Sequence, residues 1–190
     1  MSKFLYAVLT GIFGAVLLHI IIILALPHYT GRDAFTRVKA LGPSNRFVSL
    51  KDHSDLAPRE RAEGQGLSNT DPFLKVAACH FDLTLAPLRL LAPAGPSFWS
   101  LAVYDADSNE VFSMNDRTSV GGDLDAVVAS PVQVAQIRKA PGAALTQSII
   151  VEHPGTTGYV VLRTMVPAPS FEAQARDFLA EAICAPLTGG

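Results

Sequence analysis

From Phe4 to Leu26 this chain carries no charged side chain, and Thr10 and His19 are its main polar interruptions. About 20 apolar residues in a helix are enough to cross the hydrocarbon core of a bilayer. Residues 1–27 therefore read as a short tail and a transmembrane anchor, which makes the lipid bilayer the first partner of the chain. A cleaved signal peptide would have a shorter apolar region, about 7–15 residues, before a small-residue cleavage site. Ala25-Leu26-Pro27-His28 is a poor site of that kind. Lys3 lies before the run, and Arg32, Arg37 and Lys39 follow it. A bare count of basic residues would put the second flank in the cytoplasm, but large domains translocate largely regardless of charge. A short tail with Lys3 resembles the first region of a signal anchor. We expect a single-pass protein of the bacterial inner membrane with its C-terminal domain in the periplasm.

The anchor has one feature besides its apolar character. Ala7, Gly11, Ala15 and His19 recur every four residues on one face. Small side chains at that spacing let two helices approach closely, and a histidine inside a membrane usually faces protein. The plainer reading is a tether in which the spacing is incidental.

Behind the anchor the charge is nearly balanced. Of the 15 basic residues only Lys3 precedes Pro27, so 14 basic and 17 acidic residues remain, a net of −3. That is no footprint for nucleic acid, and there is no polybasic run for anionic lipid. The two cysteines, Cys79 and Cys184, suit either one disulfide in an oxidising space or two buried thiols. We expect the disulfide, since a strand and the end of a packed terminal helix can meet.

Ala34, Phe35, Val38 and Leu41 share one face of an amphipathic segment, 28–43, with Thr30 as its cap and Gly42-Pro43 as its stop. Strand signals follow at 46–50, 73–83, 88–91, 98–104 and 111–114, with a polar loop over 51–71. Such spacing suggests an antiparallel sheet or a sandwich. Residues 126–129 are apolar and ambiguous, and Val132, Val134, Ala135 and Ile137 look closer to a strand than to a helix. The segments 148–152 and 159–165 flank His153-Pro154-Gly155-Thr156-Thr157-Gly158 and read as a hairpin. A terminal helix capped by Ser170 would carry Phe171, Ala175, Phe178, Leu179, Ala182 and Ile183 on one face and end at Pro186. The fold class expected is α+β: one transmembrane helix, then a mainly antiparallel β domain over 44–190 with the C-terminal helix packed on the sheet.

Four stretches carry a resemblance. They are Ser68-Asn69-Thr70-Asp71-Pro72-Phe73, Phe81-Asp82-Leu83, Pro87-Leu88-Arg89-Leu90, and the aromatic strand from Phe98-Trp99 to Tyr104-Asp105. Over about 65–130 the chain resembles the family catalogued as domain of unknown function 1254. There an Asn-x-Asp stretch precedes a strand, and an aromatic strand ends in Tyr-Asp. Ala86 stands where the family turn has glycine, and Pro72 follows the aspartate. The overall plan also resembles small α-proteobacterial integral membrane proteins with this domain. The resemblance implies an envelope location and supplies no established active site. Family members commonly occur joined to domain of unknown function 1214, so a protein carrying that domain is an expected companion.

The residues with chemical promise are Asn69, Asp71, Trp99, Asp105 and Arg117. Asn-x-Asp before a strand can hold a ligand or a cation, or simply cap turns. Trp99 alternates with Phe98, so one ring faces the core and the other is a candidate groove residue. Arg117 could clamp a carboxylate or pair internally with Asp116 or Asp105. His19, His28, His53, His80 and His153 show no metal-ligand spacing, and neither a nucleophile elbow nor a phosphate loop is present. We expect no metal and no cofactor. The leading functional reading is a non-enzymatic binding or assembly module for another envelope protein or a cell-wall component. Its rival is a periplasmic hydrolase or lyase on an envelope glycan, with Asp71, Asp105 or Asp116 as acid and base.

Overall fold

A single helix, α1 (Ser2–Ala40), runs through the apolar segment and the amphipathic segment behind it. The separate helix start expected at Thr30 is therefore corrected, and Pro27 does not interrupt the helical backbone. Short helices are marginal without tertiary packing. Here the last turns are held by burial of Val38 and partial burial of Phe35 and Leu41 against the domain. The first part, Ser2–Leu26, is long and apolar enough to cross a membrane, and its large apolar side chains are exposed. The computed structural model describes residues 2–59, 67–95, 98–139 and 145–187, and for 27–33 the backbone alone. The part of the expected 51–71 loop at 60–66 lies outside these residues.

Among the described residues nine strands form two sheets. They are β1 (Val48–Ser49), β2 (Leu74–Asp82), β3 (Leu88–Ala92), β4 (Trp99–Asp105), β5 (Glu110–Asn115), β6 (Leu124–Ala129), β7 (Ile149–Glu152), β8 (Thr157–Met165) and β9 (Ile183–Pro186). The five-stranded sheet has the order β1-β2-β8-β4-β5 and is antiparallel throughout. The four-stranded sheet has the order β7-β6-β3-β9, with β6 and β7 parallel. Strand periodicity sends alternate side chains to opposite faces. Cys79 and Phe81 of β2, Trp99 and Leu101 of β4 and Leu162 of β8 thus meet Leu88 and Leu90 of β3 and Val128 of β6 in one buried core. The sequence-level choice between sheet and sandwich resolves as two facing sheets.

Three local expectations are corrected. The segment at 132–137 is helical: α2 (Pro131–Lys139) forms the crossover between β6 and β7 that a parallel pair needs. Its start is a capping box, in which the Ser130 amide donates to Gln133 Oε1 at 2.9 Å and the Gln133 amide to Ser130 Oγ at 3.4 Å. Pro131 occupies the first helical position, which suits its missing N–H.

The proposed hairpin around His153 does not form. β7 belongs to the four-stranded sheet and β8 to the five-stranded one. The His153 amide still extends the β7 side, donating to the Ala129 carbonyl at 2.8 Å, and the chain then crosses between sheets. β8 is buried between β2 and β4, and that long-range pairing outweighs the local turn signal. Gly158 permits the crossing, because a Cβ there would lie 2.2 Å from the Tyr104 carbonyl oxygen and 2.7 Å from the Phe81 ring.

The terminal helix is shorter than its stripe suggests. Pro169–Phe171 is a 3₁₀ turn, with no side-chain cap from Ser170, and α3 (Glu172–Glu181) follows. Ala175, Phe178 and Leu179 are buried as expected, whereas Ile183 is 47% exposed because it starts strand β9. Cys184 is therefore a strand residue. It bonds to Cys79 with Cα atoms 6.6 Å apart across a sequence separation of 105, which ties the two sheets together. Closing a loop of about 100 residues destabilises the unfolded chain by up to about 4.7 kcal/mol on chain-entropy grounds.

Phe178→Ala should lower the melting temperature of the full-length protein sharply, since truncating a buried phenylalanine costs about 3–5 kcal/mol. Thermal denaturation followed by circular dichroism checks it, and an unchanged midpoint would contradict the burial of α3.

Candidate functional site

Asn69 is the most heavily bonded polar side chain of the loops that precede β2. It is buried, and its Nδ2 reaches Asp52 Oδ1 at 3.0 Å and the carbonyls of Asp71 and Leu74. Its backbone bonds Lys51 and His53, so it forms a bridge with Asp52. Asp71 is exposed, and its Oδ1 accepts from the Phe73 amide at 2.8 Å. The Asn-x-Asp stretch thus builds the turn that launches β2. Beneath it, Lys75 donates to the Asp52 carboxylate, with the two side chains 16% and 26% exposed. Burial raises the Asp52 pKa, but the hydrogen bonds from Lys75 and Asn69, together with the Lys75 charge, outweigh it and hold the carboxyl below its ordinary 3.8.

The other sequence candidates stand elsewhere. Trp99 is fully buried, and its Nε1 donates to the Gly122 carbonyl at 2.8 Å, so it is a core anchor and no groove residue. Asp105 accepts from the amides of Asp107 and Asn109 at 2.9 and 2.8 Å, and from Asn109 Nδ2. It caps the β4–β5 turn, where Ser108 adopts a left-handed φ of 63°. Arg117 is exposed beyond β5 and forms no ion pair with Asp116 or Asp105 among the described residues.

These positions keep the three aspartates apart. Asp105 and Asp116 lie at opposite ends of β4 and β5, about 20 Å from each other at about 3.3 Å per strand residue. Asp71 precedes β2, and Asp116 follows β5, three strands away in the sheet order. Strand spacing makes that separation about 14 Å. Glycoside hydrolysis by a carboxyl pair needs about 5–10 Å. Among the described residues no group of three or more histidine, cysteine, aspartate or glutamate side chains could hold a metal ion.

The outer face of the five-stranded sheet carries a cavity with mainly apolar walls. Tyr104 and Tyr159 stack there with centroids 4.9 Å apart, and Phe35 of α1 lies on Tyr159 at 6.3 Å. Burial pushes the Tyr159 phenol above its ordinary value. Beside this aromatic contact, Ala34 and Val38 of α1, the 67–71 loop and the outward residues of β2 and β8 enclose a cleft of about 340 Å³. Asn69 and Asp71 line it, whereas Trp99, Asp105 and Arg117 do not. Arg163 also lines it, and the sequence reading missed this residue. Tyr159, Val161 and Arg163 alternate on β8, which put them on one face, but only the sheet shows that α1 half-covers that face.

A family match covers residues 71–186, more than half of the chain. The chain belongs to the DUF1254 family, described as a protein of unknown function. The match runs beyond the 65–130 stretch of the sequence resemblance to include β7, β8, α3 and β9. It begins at Asp71, so Asn69 lies just before it. No curated protein is significantly similar. Among solved structures, the VPA0106 protein of Vibrio parahaemolyticus matches with a TM-score of 0.58 and 13% identity, over 86% of this chain and 37% of that one. An uncharacterised protein of Burkholderia cenocepacia matches with a TM-score of 0.47 and 9% identity, over 87% and 42%. The Vibrio structure shows the same fold for this DUF1254 domain, and this chain spans little more than a third of it.

Asp52 yields a pH prediction. Its folded pKa is depressed, so its contribution is present above the ordinary value of 3.8 and is lost as pH falls through the folded value. Melting temperatures measured from about pH 6 to about pH 2.5 should fall less steeply for Asp52→Asn than for wild type. Parallel acid profiles would contradict the Asp52–Lys75 contribution.

Proposed function

We propose that this DUF1254 protein is a membrane-anchored binding module of the bacterial envelope, without catalytic chemistry of its own. The observation that carries the reading is α1 itself. A helix able to cross a bilayer continues unbroken into the domain and is packed on the five-stranded sheet through Phe35, Val38 and Leu41. Such a helix holds its domain at a fixed height and orientation over the membrane, a property that serves recruitment. The Cys79–Cys184 disulfide is compatible with the oxidising periplasm. The dispersed aspartates offer no acid–base pair.

The partner is another envelope protein. A protein carrying domain of unknown function 1214 fits, because that domain accompanies this one in the relatives the sequence resembles, and the Vibrio structure is much longer than the part this chain spans. Ala7, Gly11, Ala15 and His19 lie on the exposed stretch of α1, and nothing occupies the space within 4 Å of an added Cβ at Gly11. That face would let a second helix approach closely.

A membrane-impermeant amine crosslinker applied to spheroplasts tests location and partner together. Wild type and Val8→Ile should give the same crosslinked species, and Gly11→Ile should reduce it. Modification only after permeabilisation would overturn the periplasmic orientation, and equal yields from all three chains would overturn the helix contact.

A further inference from the structure

The cleft between α1 and the outer sheet face combines three features that nothing in the fold uses. Its walls are mainly apolar, from Val38 of α1, Leu74 and Val76 of β2 and Val161 of β8. Its volume, about 340 Å³, lies at the small end of ligand clefts, which run to about 1,000 Å³. Arg163 lines it half-buried, and no described residue forms an ion pair or hydrogen bond with its guanidinium. Partly burying a cation without a partner is unfavourable, and a planar guanidinium is built for bidentate contact with a phosphate. Asp71 stands at the rim, but its Oδ1 is engaged by the Phe73 amide.

The position of the cleft selects the ligand. Ala34, on its wall, follows Leu26 by eight residues of continuous helix. At about 1.5 Å per residue it lies about 12 Å along α1 from the end of the apolar span. Exposed Phe73 directly precedes Leu74, and exposed Met165 pairs with Leu74 across the sheet. The apolar rim and the apolar wall thus belong to the same end of the sheet.

We propose that this cleft binds one anionic phospholipid drawn from the bilayer that α1 crosses, with the phosphate on Arg163 and an acyl segment along Val38, Val76 and Val161. The proposal rests on the membrane-anchor reading and adds a lipid site to it. A bound lipid would stiffen the junction between helix and domain, since the two form opposite walls of the same cleft.

The test uses full-length protein in phosphatidylcholine nanodiscs that contain a photoactivatable phosphatidylglycerol or, separately, a photoactivatable phosphatidylcholine, each with its diazirine in an acyl chain. Peptide mapping by mass spectrometry reads the adducts. The expected result is adducts on β2 and β8 with the anionic probe, about tenfold fewer in Arg163→Gln, the loss of one charge-assisted contact. Ala34→Trp, which fills the cleft and leaves Arg163 in place, should abolish them and keeps the test decisive if Arg163→Gln does not fold. Adducts confined to the 2–26 span, equal labelling by the two probes, or labelling unchanged in folded Arg163→Gln would each overturn the proposal. If neither probe labels the span, the anchor reading fails, and this proposal fails with it.

Discussion

The outer face of the five-stranded sheet decides how the rest of this protein is arranged. A sandwich buries one face of each sheet and leaves the other to water or to a covering element. Here the chain covers that face with the continuation of its own N-terminal helix. Val38 is buried on Ala78 and Tyr159, and Phe35 and Leu41 are partly buried beside it. Burying one such aliphatic side chain contributes about 1.5–3 kcal/mol, and each aromatic pair adds about 0.5–1.5 kcal/mol beyond its area. The stacking of Phe35 on Tyr159 and of Tyr159 on Tyr104, with Lys39 over the Phe35 ring at 5.5 Å, makes the contact directional. At its far end the Gly42 carbonyl meets His80 Nε2 at 3.0 Å, which fixes where the helix stops. A few such contacts suffice to hold a helix that tethering already keeps at high local concentration.

The interior does separate work. The two sheets share one core, and the disulfide and α3 close it independently of α1. His153 is buried within this region against the Phe81 ring at 5.3 Å, with its Nδ1 held at the Gly155 backbone. The domain core and the junction between α1 and the sheet therefore have different side chains in charge, so a change at the junction can free the helix without unfolding the sandwich. The DUF1254 match follows the same division, covering the strands of the core and leaving α1 outside.

Alternation made strands legible. β3 shows it plainly, with Leu88, Leu90 and Ala92 buried and Arg89 and Leu91 half-buried, and the cysteine pairing followed from one residue on β2 and one near the C-terminus. Asn69, Asp71 and Asp105 are turn residues, as their chemistry suggests when no ligand is in view. What escaped depends on partners distant in sequence. Ile183 continues a helical stripe by spacing, yet it and Cys184 pair with Leu91 and Leu90 as β9 because β3 offers a free edge. β7 and β8 look like a hairpin until both sheets are seen to need a strand. The capping box of Ser130 and Gln133 was visible in principle, but Val132 and Val134 masked it by imitating a strand. Arg163 carries no signal at all in isolation, since its importance comes from what α1 leaves uncovered.

Packed in this way, α1 and the domain move as one body. Because both native cysteines are paired, spin labels can be placed uniquely at Ala40→Cys on α1 and Ser113→Cys on β5, both exposed positions. Pulsed electron paramagnetic resonance on the full-length protein in nanodiscs then reads the distance between them. A single narrow distribution, broadened when Val38 is replaced by aspartate, is the result expected of a docked helix. A broad distribution in the otherwise unaltered protein, insensitive to that replacement, would show a free tether and contradict the account.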